Sequence, residues 1–535
     1  MSDPVVVLDG ESLQLPDIAA VADEGVRVTL SPDAEVRMGR SAAWVADAAA
    51  GRIVDDEGAS LPVYGVNTGY GSLARVRIPI DQASELSWKL VMSHAAGVGP
   101  RVQDRDVRAM MLLRANALAK GASGCRPALV TGLCEMLNAG VIPEVPSRGS
   151  CGSSGDLAPL AHLGLVLFRG PDGNEDTGWA WVNGHRLAAR EAMASAGITR
   201  LVPGPKEGLA MTNGAQLTCG ITALVCHDAE RLVKVAEIAA AMSFEALRGT
   251  TRALRPEVHA LRPFPGAVAC AADLLRLLHG STLADSVPDK VQDAYSLRCT
   301  PQVLGAVRDA LTYSCRQVSV ELNAATDNPL ILVDTDHPNK AFSAGLFHGE
   351  PVGFAADHAK LALCELAALS ERRIYRLTTG HLSSRLPPAL ADGPGLGLMT
   401  PQVTAAALVA ANRQLAMPSS VDSMPTCEDQ EDHVAMSTTA ARHAQAVLRN
   451  AEQVIAIELL GAAKGLWVRL TEPGVALGIG SAAALEAVQR ALGGPRSADV
   501  PADDLERLVA LVRTGALVRA VEERVGPLAP LVPHD

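Results

Sequence analysis

Apolar residues recur at helical spacing along much of the chain, with polar residues between them. The three longest runs cover residues 214–242, 351–377 and 438–466, and each is longer than most helices of globular proteins. Continuous stripes of Ala, Leu and Val along such helices are typical of a helix bundle. The pattern therefore predicts a mainly-α fold built on a long-helix bundle.

The first third of the chain has a different pattern, in which short β-rich runs alternate with helices. Residues 5–8 and 26–30 are predicted strands, and residues 34–50 are a predicted helix. Helix formers dominate from residue 81 onward. We therefore predict two regions. A mixed α/β N-terminal region covers residues 1–207, and a long-helix bundle with C-terminal helices covers residues 208–535.

A loop rich in Pro, Gly and Ser interrupts the N-terminal region at residues 141–156. Gly140, just before it, stands where a helix-terminating glycine is expected, as does Gly121 further upstream. Asp156 is predicted to cap the helix that follows the loop, and residues 170–205 are predicted to form a small β-rich excursion. Because a well-defined helix follows it, the loop is expected to hold one conformation.

The 535 residues include 47 Lys and Arg against 59 Asp and Glu, a formal net charge of −12. This acidic balance argues against binding to nucleic acids or anionic membranes, which require basic surfaces. The ten cysteines are scattered without a CxxC pair, the N-terminus lacks signal-peptide features, and no run of 18 uninterrupted apolar residues occurs. We expect a soluble, cytoplasmic protein with reduced cysteines and no metal.

Several common catalytic motifs are absent or incomplete. Gly478 and Gly480 resemble part of a dinucleotide-binding motif, but no buried strand precedes them, so a helix start is the simpler interpretation. No GxxxxGK[ST] or HExxH sequence occurs. Ser154 lacks the glycine two residues later that a hydrolase nucleophile elbow needs. The acidic run at residues 428–432, next to His433, fits a solvated helix start better than a cation site.

The loop does support one unusual reaction of the backbone itself. Gly149, Gly152 and Gly155 bracket Ser153 and Ser154. If the backbone is compressed, the amide nitrogen of Gly155 can attack the carbonyl carbon of residue 153, because glycine has no Cβ to obstruct the approach. Loss of water closes a five-membered ring, and loss of the Ser154 hydroxyl leaves an exocyclic methylidene. The product is an electrophile that no ordinary side chain provides.

The sequence GSCGSSGDLAPLAH around this loop closely resembles the signature of the aromatic amino acid ammonia-lyases and aminomutases. The resemblance implies the mainly-α fold of the ammonia-lyase/fumarase-like superfamily. It also implies a prosthetic group, 4-methylideneimidazol-5-one (MIO), formed autocatalytically from Ser153, Ser154 and Gly155. Seven further blocks resemble the family in the same order along the chain: VYGVNTGYG (63–71), SHAAGVGP (93–100), GLAMTNG (208–214), VQDAYSLRCTPQVLGA (291–306), ATDNPL (325–330), FHGEP (347–351) and QEDHVAMS (430–437).

The resemblance assigns roles to single residues around the MIO group. Tyr64 matches the base that removes the β-proton of the substrate, a role in which a phenol needs nearby positive charge or hydrogen-bond donors. Tyr295 and Asn213 match residues that hydrogen-bond the MIO ring and the substrate amine. Arg298 matches the arginine that pairs with the substrate carboxylate. Further pocket-lining positions are matched by Gln292 and Phe347.

Substrate choice depends on two other positions, His94 and Glu431. Both match residues of the histidine-specific members, and the phenylalanine and tyrosine enzymes carry different residues there. An imidazole both donates and accepts hydrogen bonds, so a carboxylate and a histidine suit it. A phenyl ring would leave both groups unpaired, at a cost of about 1–3 kcal/mol each. The resemblance therefore favours elimination of ammonia from L-histidine to give urocanate.

Three departures from the family pattern keep other outcomes open. Ser153 replaces the usual Ala of the triplet, Leu346 stands where many histidine lyases have Asn, and residues 426–434 are unusually acidic. Altered pocket and lid residues are what an aminomutase needs to hold its intermediate while the amine re-adds at the β-carbon. The alternatives are a histidine 2,3-aminomutase that makes β-histidine for a secondary metabolite, a tyrosine or phenylalanine enzyme, and a non-catalytic scaffold.

The family resemblance also implies a homotetramer whose active sites combine residues from more than one subunit. The long apolar helices agree with this, because a monomer would expose large apolar patches. The expected partners are therefore a small-molecule amino-acid substrate and further copies of the same chain.

Overall fold

The computed structural model describes residues 4–71, 74–173, 177–391, 393, 395–495 and 502–532. Within these ranges the fold is mainly helical, as the apolar pattern predicts. The three predicted long helices are present, over Gln216–Ala246, Glu350–Thr378 and Ser437–Arg469. None of the described helices combines the length and the apolar character needed to cross a membrane.

The α-helices of the described ranges vary from single turns to more than eight turns. In chain order they are α1 (Leu15–Ala19), α2 (Pro32–Ala49), α3 (Ala83–His94), α4 (Asp104–Ala119), α5 (Pro127–Ala139), α6 (Leu157–Leu167), α7 (Ala189–Ser195), α8 (Glu207–Thr212), α9 (Gln216–Ala246), α10 (Pro256–Ala260), α11 (Pro265–Leu277), α12 (Tyr295–Arg298), α13 (Thr300–Glu321), α14 (Glu350–Thr378), α15 (Met399–Leu415), α16 (Ser437–Arg469), α17 (Ile479–Leu492), α18 (Ala502–Arg513) and α19 (Ala516–Val525).

The strands are short and pair in twos and threes. β1 and β2 are parallel, whereas the β3–β5, β4–β6–β7 and β8–β9 pairings are antiparallel. The predicted mixed N-terminal region is confirmed, and its β-rich excursion contains the β6–β7 hairpin; residues 174–176 lie outside the described ranges. The strands are β1 (Val5–Leu8), β2 (Arg27–Leu30), β3 (Val98–Arg101), β4 (Ile142–Pro143), β5 (Pro146–Arg148), β6 (Trp179–Val182), β7 (His185–Ala188), β8 (Leu330–Ile331) and β9 (Ala341–Phe342).

The chain divides into two compact units that are discontinuous in sequence. Unit 1 consists of residues 1–224, 317–357 and 418–442, and unit 2 of residues 225–316, 358–417 and 443–535. The domain boundary predicted between residues 207 and 208 stays a prediction, because compactness does not test whether either region folds alone.

In unit 1, the helices α3, α6 and α8 pack against one another. Close approach of α8 to α3 requires Gly208, because a Cβ there would lie 2.3 Å from the carbonyl oxygen of Ser87. Helix α3 ends at His94, α6 begins one residue after Asp156, and α8 ends one residue before Asn213. This packing places the C-terminal ends of α3 and α8 and the N-terminal end of α6 in the same region of unit 1.

In unit 2, a fully buried ion pair joins α14 to α16. Arg373 contacts Glu458 through two nitrogens, one of them 2.9 Å from Oε2. Ser243 and Ser370 donate hydrogen bonds to the same carboxylate at 2.8 and 2.6 Å. Because buried charges are tolerated only when they are paired and hydrogen-bonded, this cluster ties the long helices together at a fixed register.

Candidate active site

The Ser153–Ser154–Gly155 triplet lies in the turn that leads into α6, and its backbone is tightly confined. Gly155 has φ +75°, a left-handed conformation that favours glycine. A Cβ at this position would lie 2.2 Å from the carbonyl carbon of Gly214. Only glycine therefore fits here. The turn therefore has the glycine that formation of an MIO group would need, because a side chain at this position could not be accommodated.

The segment that follows α8 holds the triplet from one side. The Asn213 side-chain amide donates to the carbonyl oxygen of Ser154 at 2.8 Å, and the Asp156 amide donates to the Gly214 carbonyl at 2.7 Å. The carbonyl of Asn213 in turn accepts a hydrogen bond of 2.8 Å from Arg114, whose side chain is fully buried. A buried cation thus fixes the peptide that carries Asn213.

Asp156 stands at the start of α6 as predicted, but its side chain does not cap the helix. This prediction was wrong because the carboxylate has other partners. Its Oδ1 accepts from Ser150 at 2.7 Å and from Thr438 at 2.7 Å, and the Thr218 amide and hydroxyl donate at 2.8 and 3.0 Å. The buried carboxylate therefore fixes the loop by accepting hydrogen bonds from uncharged donors.

A cavity of about 1090 Å³ opens above the triplet, and residues of unit 1 line it. Seven of the eleven predicted site residues line this cavity: Tyr64, His94, Ser153, Ser154, Asn213, Phe347 and Glu431. Gly155 lies directly behind them in the same turn. The volume is ample for an amino acid.

Two tyrosines meet edge-to-face on one wall of this cavity, with the ring centres of Tyr64 and Tyr70 6.1 Å apart. The Gly71 amide donates to the Tyr64 hydroxyl oxygen at 3.0 Å, so a donor faces the atom that would receive a proton from substrate. Burial, reinforced by Tyr64 and partly offset by a hydrogen bond with Ser87, raises the pKa of Tyr70 to about 12. Tyr70 therefore stays protonated, which leaves Tyr64 as the base candidate.

His94 reaches the cavity from the C-terminal end of α3. Its Nδ1 lies 2.8 Å from the carbonyl oxygen of Leu90 and 3.1 Å from the hydroxyl of Ser93. A carbonyl can only accept, so the proton belongs on Nδ1, and Nε2 is left as an acceptor. This tautomer suits an N–H group of a bound heterocycle.

Glu431 faces the triplet from a short loop that is closed by a backbone pair between Thr426 and Glu431. Its carboxylate accepts hydrogen bonds from the side chains of Ser153, at 2.8 Å, and of Ser154 and Thr426. Burial raises the pKa of Glu431, but these hydrogen bonds and one from Cys427 lower it by more. The net shift is downward, so Glu431 is a carboxylate at neutral pH.

Three predicted residues do not line the cavity within the described part of one chain: Gln292, Tyr295 and Arg298. Tyr295 is 71 % exposed, and the Arg298 guanidinium lies 4.7 Å from the centre of its ring. The buried Nε of Arg298 makes no hydrogen bond to any described residue. Leu346 is also exposed and is not among the residues that line the cavity, although its neighbour Phe347 is.

Sequence reasoning missed several residues of this site. Arg114 and Thr426 lie outside the blocks that resemble the family, and nothing in their local pattern indicated a role. Tyr70 and His433 lie within those blocks but were given no function. His433 stacks with His348 at a ring distance of 5.6 Å on the cavity wall. Among the described residues, no group of three or more His, Cys, Asp or Glu is arranged to hold a metal ion.

The long-helix fold and this cavity have the features of a helical carbon–nitrogen lyase. The family model described as aromatic amino acid lyase matches residues 13–490. The histidine ammonia-lyase of Gloeobacter violaceus is 46 % identical over 529 residues, covering 98 % of each chain, and that of Alkaliphilus oremlandii is 43 % identical over 523 residues, covering 97 % of this chain and 99 % of its own. The chain belongs to the aromatic amino acid lyase family.

Solved structures agree with this family, but a lyase and an aminomutase match the chain equally well, so the fold does not decide between these two activities. Histidine ammonia-lyase from Trypanosoma cruzi superposes with a TM-score of 0.88 at 34 % identity, covering 99 % of this chain and 98 % of its own. Tyrosine aminomutase from Streptomyces globisporus also has a TM-score of 0.88, at 33 % identity, covering 99 % of this chain and all of its own. The fold is therefore common to lyases and aminomutases.

Proposed function

We propose that this enzyme eliminates ammonia from L-histidine to give urocanate. The observation that carries the proposal is the Glu431 carboxylate, which is charged at neutral pH and faces the triplet inside the cavity. A carboxylate and the acceptor Nε2 of His94 together offer an imidazole partners that a phenyl ring cannot use. The proposal is also supported by the names of relatives 43–46 % identical over nearly the whole chain, which are histidine ammonia-lyases.

The triplet would provide the electrophile of this reaction. When formed, the MIO group supplies an electron-poor methylidene that turns the substrate amine into a better leaving group. Asn213 holds the carbonyl of Ser154 and so fixes the orientation of the triplet. Tyr64 takes the β-proton onto its hydroxyl oxygen, where the Gly71 amide is ready to donate. The Tyr70 hydroxyl stays protonated beside it.

We further propose that the substrate carboxylate binds Arg298 of another subunit in a homotetramer. The exposure of Tyr295 and the unpaired, buried Nε of Arg298 support this, because the described part of one chain offers that nitrogen no partner. Gln292 lies in the same segment and would enter the site with them. A bidentate guanidinium contact would orient the substrate. A cytoplasmic location is part of the same proposal.

The second candidate function is a histidine 2,3-aminomutase. It is supported by the likeness to tyrosine aminomutase, which equals the likeness to histidine ammonia-lyase in TM-score. The two reactions would use the same residues and differ in how long the eliminated amine and product stay in the site. The Leu346 side chain is exposed and does not line the cavity in the described part of one chain, so it gives no support to either reaction.

The test is product analysis by chromatography and mass spectrometry after separate incubation with L-histidine, L-tyrosine and L-phenylalanine. Urocanate and ammonia, from histidine alone, are expected. A new isomer with the mass of histidine would establish the aminomutase instead, and turnover of tyrosine would contradict the roles of His94 and Glu431. The control is Ser154→Ala, which cannot form the methylidene and is expected to lose nearly all activity.

A further inference from the structure

The two carboxylate oxygens of Glu431 have different partners. Oε2 accepts from the hydroxyls of Ser153, at 2.8 Å, and Thr426. Oε1 accepts from the hydroxyl of Ser154. Backbone hydrogen bonds in both directions between Thr426 and Glu431 fix the relative position of these two residues. Two hydroxyls thus hold Oε2, whereas the hydroxyl bound to Oε1 is that of Ser154.

Cyclisation of the triplet changes only one of these contacts. The Gly155 nitrogen bonds to the Ser153 carbonyl carbon, and that carbonyl oxygen leaves as water with the amide protons of Gly155 and Ser154. A second water takes the Ser154 hydroxyl and its Cα proton. No oxidant or reductant is needed. The Ser153 side chain takes no part, so its hydroxyl survives while the Ser154 hydroxyl is lost.

We propose that Ser153 is a positioning residue which, together with Thr426, anchors Oε2 of Glu431, and that maturation itself releases Oε1 for an imidazole N–H of the substrate. The inference rests on the proposed histidine activity and deepens it. It gives a function to the serine that stands where the family usually has alanine, because an alanine could not donate this hydrogen bond.

Other ionisable groups surround Glu431. The thiol of Cys427 donates to the carboxylate, and Cys151 is close enough for its pKa to be raised by the Glu431 charge, after the larger effect of burial. The remaining ionisable groups on the cavity wall, apart from the two tyrosines, are His94, His348, His433, Glu428 and Asp432. All of these stay unchanged when only the Ser153 or Thr426 hydroxyl is removed.

Removal of the Ser153 or Thr426 hydroxyl changes the pKa of Glu431 in one direction. Burial raises the pKa of Glu431 and each donated hydrogen bond lowers it, so loss of the Ser153 or Thr426 hydroxyl moves the pKa upward. The imidazole contact requires Glu431 to be a carboxylate. Binding through this contact therefore occurs above the pKa of Glu431 and is lost as the pH falls through that pKa. Without the Ser153 hydroxyl, binding is therefore lost at a higher pH than in the wild type.

The experiment compares Ser153→Ala and Thr426→Val with the wild-type enzyme. Intact mass measures maturation, which lowers the mass by two water molecules. Calorimetric binding of urocanate across a pH series measures the Glu431 contact without turnover. In both variants we expect full maturation and a weaker affinity for urocanate. The lowest pH at which urocanate still binds, here called the acid limit, should be higher than in the wild type. The KM for histidine should rise about three- to tenfold, with kcat changed less than about twofold.

Two further variants separate positioning from general damage. Ser153→Thr keeps the hydroxyl and is expected to restore the wild-type acid limit. Ser343→Ala removes a cavity hydroxyl that, among the described contacts, does not reach Glu431, and it is expected to leave the acid limit in place.

Three outcomes would overturn the inference. The first is a Ser153→Ala variant that keeps the wild-type KM and acid limit, while the wild type acts on histidine; this leaves the proposed function standing. The second is a Ser153→Ala variant that does not lose two waters, which would make Ser153 part of ring closure instead. The third is a fully matured wild type that acts only on tyrosine or phenylalanine, which would overturn the proposed function as well.

Discussion

The two tyrosines in edge-to-face contact, Tyr64 and Tyr70, have different immediate surroundings. Tyr70 is partly buried, and removal of its hydroxyl from water raises its pKa to about 12, so it stays a neutral phenol at any physiological pH. Tyr64 has the Gly71 amide directed at its oxygen and lines the cavity. This backbone donor is the feature that supports the proposal of Tyr64, and not Tyr70, as the base.

The matched substitutions Tyr64→Phe and Tyr70→Phe test this difference. Tyr64→Phe removes the base and is expected to lower kcat by about 10²- to 10⁴-fold, whereas Tyr70→Phe removes only a neutral hydroxyl and should lower kcat by less than about tenfold. Both variants should mature fully, as judged by intact mass. Equal losses in the two variants would contradict the assignment of Tyr64 as the base.

Hydrogen bonds at the residue scale were the least predictable part of the site. The sequence indicated that Asp156 starts a helix, but its carboxylate instead bonds Thr438, 282 positions away. Ser153 bonds Glu431 over 278 positions. Local propensity describes how a residue fits its own helix or turn, and it carries no information about partners brought close by tertiary folding. The family resemblance identified Ser153 and Glu431 as site residues, but it did not indicate that they contact each other.

Elements were predicted better than contacts, because their signal lies in a short window of sequence. A repeat of apolar residues at helical spacing specifies a buried helix face whatever the neighbours are, and α9, α14 and α16 follow their predicted ranges closely. The glycine that ends α5, Gly140, has the left-handed conformation expected of it. Packing between elements is harder to predict from sequence, since it depends on close approaches such as that of α8 to α3 at Gly208.

Helix packing beneath the cavity is tested by Gly208→Ala. The added Cβ would lie 2.3 Å from the Ser87 carbonyl oxygen, so α8 must move away from α3. Overpacking of this kind destabilises by about 1–3 kcal/mol, and the movement would also displace Asn213 from Ser154. Thermal unfolding should show a lower Tm, and kcat/KM for histidine should fall.

The control for this substitution is Gly39→Ala, on α2 of the same unit. Apart from the two chain neighbours and the backbone of its own helix, no described atom lies within 4 Å of a Cβ built at Gly39. Alanine there should keep activity and stabilise the helix by up to about 1 kcal/mol, because it restricts the unfolded chain and favours helix. If Gly208→Ala behaved like this control, close packing of α3 and α8 would not be what positions the site.

For the whole molecule, the main question is where Gln292, Tyr295 and Arg298 act. Family resemblance predicted them as site residues, yet they do not line the cavity in the described part of one chain. Sequence motifs record which residues a reaction needs, and they do not record which copy of the chain supplies them. An exposed tyrosine beside a partly buried, incompletely bonded guanidinium is what a shared site requires of the subunit that contributes it.

Co-expression of two inactive variants, Ser154→Ala and Arg298→Ala, tests whether sites are shared. If Ser154 and Arg298 of one site come from different subunits, random mixing produces some sites in which both residues are intact, about one quarter of the total. Activity should therefore return in the mixed tetramer, measured as urocanate formed per subunit, and each variant alone should stay inactive.

The mixture of Ser154→Ala with Tyr64→Phe provides the contrast, because Ser154 and Tyr64 line the same cavity of one chain. No mixing of these chains can create a site with both residues intact, so activity should not return. Recovery in the first mixture alone would assign Arg298 to a neighbouring subunit. Failure of both mixtures, with mixed tetramers demonstrated by mass, would mean that each chain supplies its own arginine, and that the segment at 291–298 reaches the site by another route.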